Sequence, residues 1–188
     1  DGELEEAAIF RSAMLRYILL SMLVIYALMA IVFHSYWQPF LVLTAIPFGL
    51  MGAIFGHLIL NWQVSMFSLL GVFACSGVVV NDNLVLIDRI NQLRADGKNL
   101  HDSLVQAGTD RFRPIILTSL TTFIGLLPIM SETSLQAQFL IPMVTSLAFG
   151  VLFATAVTLL LVPCLYIAGE RLREILSIGN SEVGGQLN

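Results

Sequence analysis

Charge is what this sequence has least of. Only 12% of its 188 residues are Asp, Glu, Lys or Arg, about half of the roughly 25% usual in soluble domains, so a water-soluble globular fold is close to excluded. Basic residues are scarcer still. Nine Lys and Arg stand against 13 Asp and Glu, a formal net charge of -4, too few and too scattered for a groove that tracks phosphates, which sets nucleic acid aside. Cysteine is nearly absent: Cys75 and Cys164 each lie inside an apolar run and far apart, so neither a disulfide framework nor a zinc-ligand spacing is present. No P-loop, HExxH or GxSxG occurs, and Asn81-Asp82-Asn83 lacks the spacing of a calcium loop. With no nucleophile and base pair and no metal cluster, an enzyme is the weakest reading and no cofactor is implied. The opening Asp1-Gly2-Glu3-Leu4 has neither an initiator Met nor the basic region, short apolar core and cleavage site of a signal peptide, and the chain is expected to be a piece of something longer.

What the sequence has instead is long apolar runs. Hydrophobic residues make up 57% of the chain, and they gather into five stretches at about 15–33, 40–60, 64–88, 114–130 and 139–168. A run of about 20 apolar residues crosses a bilayer core. The expected fold is therefore an all-α integral membrane domain of five transmembrane helices over 15–170. An acidic lead-in over 1–14 precedes it. Between the third and fourth runs, residues 98–111 are polar but keep Leu100, Leu104, Val105 and Ala107 at helical spacing, which predicts an amphipathic helix on the membrane surface. The polar, Gly-bearing tail over 171–188 is expected to be disordered. Arg89, Arg94, Lys98, Arg111 and Arg113 follow the third run, and Arg171 and Arg173 follow the fifth. The positive-inside bias makes those regions cytoplasmic, with the N-terminus outside and the C-terminus inside.

Small and polar residues mark where helices meet. Gly52 and Gly56 in the second run form a small-xxx-small face that admits a close neighbour, and Gly71 and Gly77 in the third run are read the same way. Pro47, Pro128, Pro142 and Pro163 predict kinks. The chemistry centres on Asp82, about six residues, or roughly 9 Å, inside the basic end of the third run. An ionised Asp at a helix centre costs about 2.5–3.5 kcal/mol, so it must face protein or water and either pair with a cation or hold a proton. The bland alternative is that Asp82 lies shallow enough to reach interfacial water beside Asn81 and Asn83. In the fourth run Arg111, Ile115, Thr118, Thr122 and Gly125 recur at three and four, which places a cation and two hydroxyls on one face; each threonine is alternatively satisfied by its own helix carbonyl. A lone His57 late in the second run is read as a packed side chain rather than a proton relay.

The stretch from Gly77 to Asp88, Gly-Val-Val-Val-Asn-Asp-Asn-Leu-Val-Leu-Ile-Asp, followed by Arg113-Pro114-Ile115-Ile116-Leu117-Thr118-Ser119-Leu120-Thr121-Thr122, resembles the resistance-nodulation-division efflux permeases. The likeness runs from the acidic lead-in through Ala45-Ile46-Pro47-Phe48-Gly49 to Leu161-Val162-Pro163. The resemblance implies a proton-driven antiporter of the bacterial inner membrane with about twelve spans and two large periplasmic loops, exporting hydrophobic or amphiphilic compounds. It also implies a homotrimer working with a periplasmic adaptor and an outer-membrane channel. This chain would supply the last five spans, with the rest of the permease and membrane lipid as its immediate partners. In the family a lysine, an arginine and a threonine of this half serve the proton relay. The arginine falls on Arg111, the threonine on Thr118 and the lysine position on Asn81, which carries no charge, while Asp82 adds a carboxylate one residue on. Either Arg111 alone supplies the counter-charge, or Asp82 joins the titrating group. Rival readings are a related exporter of metal ions or lipids and a non-transporting membrane scaffold.

Overall fold

The computed structural model describes residues 2–184, and among them every regular element is a helix. In chain order these are α1 (Gly2–Phe33), α2 (Trp37–Leu43), α3 (Ile46–Leu60), α4 (Met66–Ala95), α5 (Leu100–Met130) and α6 (Leu135–Gly184). Five stretches are long and apolar enough to cross a membrane: Leu15–Phe33, Trp37–Leu60, Met66–Ala95, Leu100–Met130 and Leu135–Arg171. These coincide with the five runs of the sequence to within a few residues at most ends.

The chain divides into two compact units, Asp1–Phe40 and Leu41–Asn188. The first holds α1, which starts at Gly2, so the lead-in is part of the first helix rather than a separate segment; residue 1 lies outside the described residues. It stops where His34 takes a left-handed backbone with φ of 50°. The Tyr26 hydroxyl then donates to the carbonyl of Tyr36 at 2.9 Å and ties the turn back to the helix.

In the second unit the second run is not one helix. It breaks at Thr44–Ala45, and Pro47 sits in the first turn of α3, where its missing N–H costs nothing. α3 ends on left-handed Asn61, φ 54°. α4 then opens with a reciprocal cap in which the Ser65 and Ser68 side chains each accept from the other's backbone N–H, satisfying donors that a helix start otherwise leaves bare.

α6 is the hub, and α3, α4 and α5 all pack on it. Gly71 meets Ser146, Cys75 meets Gly150 and Asn91 meets Tyr166, each pair 75 residues apart. A constant separation means that α4 and α6 run parallel, which short loops permit only because α5 returns between them. Ala45, Cys75, Val79, Val151 and Ala154 form a fully buried core at this seam. Lipid is as apolar as these side chains, so close van der Waals fit, not water exclusion, holds them together. The glycines set that fit. An added Cβ at Gly52 would lie 2.6 Å from the Phe149 carbonyl oxygen, one at Gly56 2.6 Å from the Phe149 ring, and one at Gly71 2.1 Å from the Met143 carbonyl oxygen. Gly77 is different: a Cβ there meets nothing within 4 Å among the described residues. Its expected packing role finds no partner among the described residues, because Gly77 lies on the exposed side of α4 with Ala74 and Asn81.

Two further expectations change. The amphipathic segment 98–111 is not a separate helix, since α5 runs unbroken from Leu100 to Met130 with Pro114 inside it. At 1.5 Å per residue such a helix is about 46 Å long, more than the roughly 30 Å hydrocarbon core, so its polar end projects beyond the membrane. The tail is likewise helical as far as Gly184, the end of α6, and residues 185–188 lie outside the described residues.

Candidate functional site

Asp82 sits on the part of α4 that is half-buried, and its Oδ2 is shut off from solvent with no hydrogen-bond partner in the chain. Asn81, one residue earlier, is exposed. Arg111 on α5 is partly buried, and its Nε also lacks a partner. Thr118 is exposed, and its hydroxyl donates to the Pro114 carbonyl at 2.9 Å, the local satisfaction open to any helical threonine. Among the described residues no hydrogen bond or ion pair joins any two of these four.

The register explains why. Arg89 Nη2 and Nε both donate to Asp110 Oδ2, at 2.8 and 2.9 Å, and pin α4 against antiparallel α5. Seven residues back from Arg89 is Asp82, and seven on from Asp110 is Leu117, so Asp82 lies level with Leu117 and Thr118. Arg111 is six residues from that level, about 9 Å along the axis. The carboxylate and the guanidinium thus face the interior at different depths.

Sequence reasoning missed Asn83. It is 2% exposed, and its Nδ2 has no partner, so an amide donor beside Asp82 is buried without a hydrogen bond inside a membrane helix. It also missed how the basic end is tied together. Arg94 Nη1 meets Glu170 at 2.7 Å, the Tyr166 hydroxyl donates to Asn91 Oδ1 at 2.9 Å, and Gln92 Nε2 donates to Asp88 at 2.7 Å. The signal was present in the sequence as the acids Asp110 and Glu170, each directly beside an arginine in the two basic regions. Deeper in the membrane Ser119 and Thr155 share a 2.7 Å hydrogen bond between α5 and α6.

His57 is 3% exposed and packed as expected. Its Nδ1 lies 2.9 Å from the Ala53 carbonyl and its Nε2 2.8 Å from the Ser68 hydroxyl. A carbonyl only accepts, so Nδ1 carries a proton, and Nε2 is engaged by the Ser68 hydroxyl. Among the described residues no group of three or more His, Cys, Asp or Glu is placed to hold a metal ion.

The chain matches the AcrB/AcrD/AcrF family over residues 2–169. It is 28% identical over 171 residues to the multidrug resistance protein MdtC of Erwinia amylovora, covering 89% of this chain and 17% of that one. It is 34% identical over 152 residues to the cobalt-zinc-cadmium resistance protein CzcA of Cupriavidus metallidurans, covering 80% of this chain and 14% of that one. A crystal structure of a heavy metal efflux pump superposes with a TM-score of 0.77 at 27% identity, covering 88% of this chain and 17% of that one. The chain therefore spans about a sixth of the length of these relatives. It belongs to the AcrB/AcrD/AcrF family of resistance-nodulation-division efflux permeases.

Proposed function

We propose that this chain forms part of the membrane engine of a proton-driven exporter, with Asp82 and Arg111 in the charge network that takes up and releases the proton. One observation carries the reading: Asp82 Oδ2 and Arg111 Nε are both buried and both without a partner in the chain. A charge in a membrane span is costly unless paired or hydrated, so Asp82 needs water or a partner from the rest of the permease, and Arg111 Nε at the membrane surface lacks a partner in the chain as well. The exposed Asn81, Gly77 and Ala74 of α4 and the exposed Thr118, Thr121 and Gly125 of α5 supply small and polar surface suited to further helices.

In this mechanism a carboxylate of the network gains a proton, its attraction for Arg111 falls, and α5 shifts relative to α4. The basic ends stay clasped by Arg89–Asp110 and Arg94–Glu170, so the free ends of the helices carry the displacement toward the transport domains. Proton binding drives such a step only if the two arrangements hold the proton with different affinity.

Family membership supports an inner-membrane location, a homotrimer, and a periplasmic adaptor with an outer-membrane channel as partners. The positive-inside bias supports a periplasmic N-terminus and a cytoplasmic C-terminus. Likeness to MdtC supports hydrophobic or amphiphilic cargo, whereas likeness to CzcA and to a heavy metal efflux pump supports metal ions. The test is made in the complete permease. Asp82→Asn and Arg111→Gln are expected to lower proton-coupled efflux at least tenfold with expression and assembly unchanged; wild-type efflux in both variants would remove the pair from the mechanism.

A further inference from the structure

α5 changes partner along its length. On the water side of Pro114, Arg89 of α4 donates twice to Asp110, and Ser103, Leu104 and Ala107 are buried. On the membrane side the ties run to α6 instead. Ser119 and Thr155 share their 2.7 Å hydrogen bond, and the Phe123 ring meets Phe149 edge to face at 5.2 Å. Past Ser119 every residue of α5 is exposed or only half-buried. One end of the helix is thus clasped to α4, while the other leans on α6 through one hydrogen bond and one ring contact.

The backbone is weakest between those two attachments. Proline has no N–H, so Pro114 offers the Asp110 carbonyl no helical partner, and its ring crowds that carbonyl. The turns that follow carry hydroxyls bonded back into the helix: Thr118 donates to the Pro114 carbonyl at 2.9 Å, Ser119 to Ile115 at 3.1 Å and Thr121 to Leu117 at 2.8 Å, a pattern that often bends helices. α6 has an internal proline near the same depth, Pro163, but there both sides are tied to α4. The Cys75–Gly150 contact holds the membrane side, and Tyr166–Asn91 and Arg94–Glu170 hold the other. A break in the ladder moves one helix against another only where its two sides have different holds, and Pro114 meets that condition.

We propose that α5 is hinged at Pro114, so that its membrane arm, residues 115–130, swings relative to α4 while residues 100–113 stay clasped. The arm carries Thr118, level with Asp82, and Arg111 lies on the clasped side, so a swing alters the surroundings of Asp82 without displacing Arg111. At 1.5 Å per residue the tip of the arm is about 24 Å from the pivot, and a bend of about 10° moves it about 4 Å. The hinge rests on helix geometry; its use in transport rests on the proton-coupled reading.

The complete permease, with Cys164→Ser, carries spin labels at Val64→Cys, just before α4, and Glu132→Cys, just after α5. Pulsed electron paramagnetic resonance gives the distance between them in acid and in mildly alkaline buffer. A broad distribution is expected, with a mean that moves by about 4 Å between the two conditions. Pro114→Ala, which restores the N–H in a strong helix former, is expected to narrow the distribution and to lower efflux several-fold, as changes at a hinge do. Pro114→Gly, soft without the ring, is expected to keep the wild-type spread, and Pro163→Ala to change neither spread nor efflux. A distribution that Pro114→Ala leaves as it was overturns the hinge, as does equal narrowing by Pro163→Ala or by Pro114→Gly. A distribution that Pro114→Ala narrows, but that neither pH nor Asp82→Asn moves, upholds the hinge and removes the proton-coupled reading instead.

Discussion

Gly71 and Gly77 are the same residue type on the same helix, and the structure gives them opposite tasks. Six residues at about 100° each leave the two positions about 120° apart around the helix, so they do not share a face. Gly71 lies with Cys75 against α6, where a Cβ would come within 2.1 Å of the Met143 carbonyl oxygen; Gly77 faces open space. Gly71→Leu in the complete permease is expected to destabilise the membrane domain by about 3 kcal/mol or more, because overpacking costs about 1–3 kcal/mol even where neighbours give way, and here the obstacle is backbone. Gly77→Leu leaves the packing of α4 on α6 intact and acts only through whatever the rest of the permease lays on that side. Unfolding by denaturing detergent, followed by helical circular dichroism, separates the two. Equal losses from both would mean that α4 turns a different face toward α6. Spacing in the sequence identifies both small-residue lines on the helix, Ser68-Gly71-Cys75 and Ala74-Gly77-Asn81. It does not identify which line meets α6, since that depends on a partner 75 residues away.

At the scale of elements, hydropathy makes the spans legible and leaves their ends and continuity obscure. The change of composition at Arg111 and Arg113 looks like the end of a helix but marks the membrane surface instead, since α5 passes through it and through Pro114 unbroken. The second run reads as one span, yet its chain breaks at Thr44–Ala45, two residues before Pro47. Both differences between span and helix share a cause. Lipid preference tracks side-chain polarity, while helix continuity tracks backbone hydrogen bonding, and the two coincide only by chance. The seam among α3, α4 and α6 is a matter of contact distance that sequence spacing does not supply. Cys75 Sγ lies 2.8 Å from the position a Cβ would take on Gly150 and 3.0 Å from the one on Gly49. Gly150→Ala is therefore expected to destabilise the bundle by about 1–3 kcal/mol. Cys75→Ala, which removes the nearer obstacle, is expected to recover part of that loss when combined with it. Additive losses in the double variant would mean that α4 and α6 do not meet through this pair.

For the whole molecule the issue is which part chooses the cargo. This chain is similar to a multidrug resistance protein over 89% of its length and to a cobalt-zinc-cadmium resistance protein over 80%. It also superposes on a heavy metal efflux pump at a TM-score of 0.77. One helix bundle is thus shared by proteins whose names point to different cargoes. Its own polar atoms form helix clasps, Arg89–Asp110 and Arg94–Glu170, that fix one end, and they leave Asp82 Oδ2 and Arg111 Nε without a partner in the chain. Under the proposed function, a bundle built this way would convert proton binding into movement and leave selection to the remaining five-sixths of the permease. Residues 15–171 exchanged into a metal-exporting relative should therefore preserve metal tolerance, and exchanged into a multidrug relative should preserve dye efflux, each with a turnover altered by the new charge network. Metal tolerance and dye efflux measured on the two chimaeras check this directly. If either chimaera takes on the cargo of the donor, recognition extends into the membrane helices.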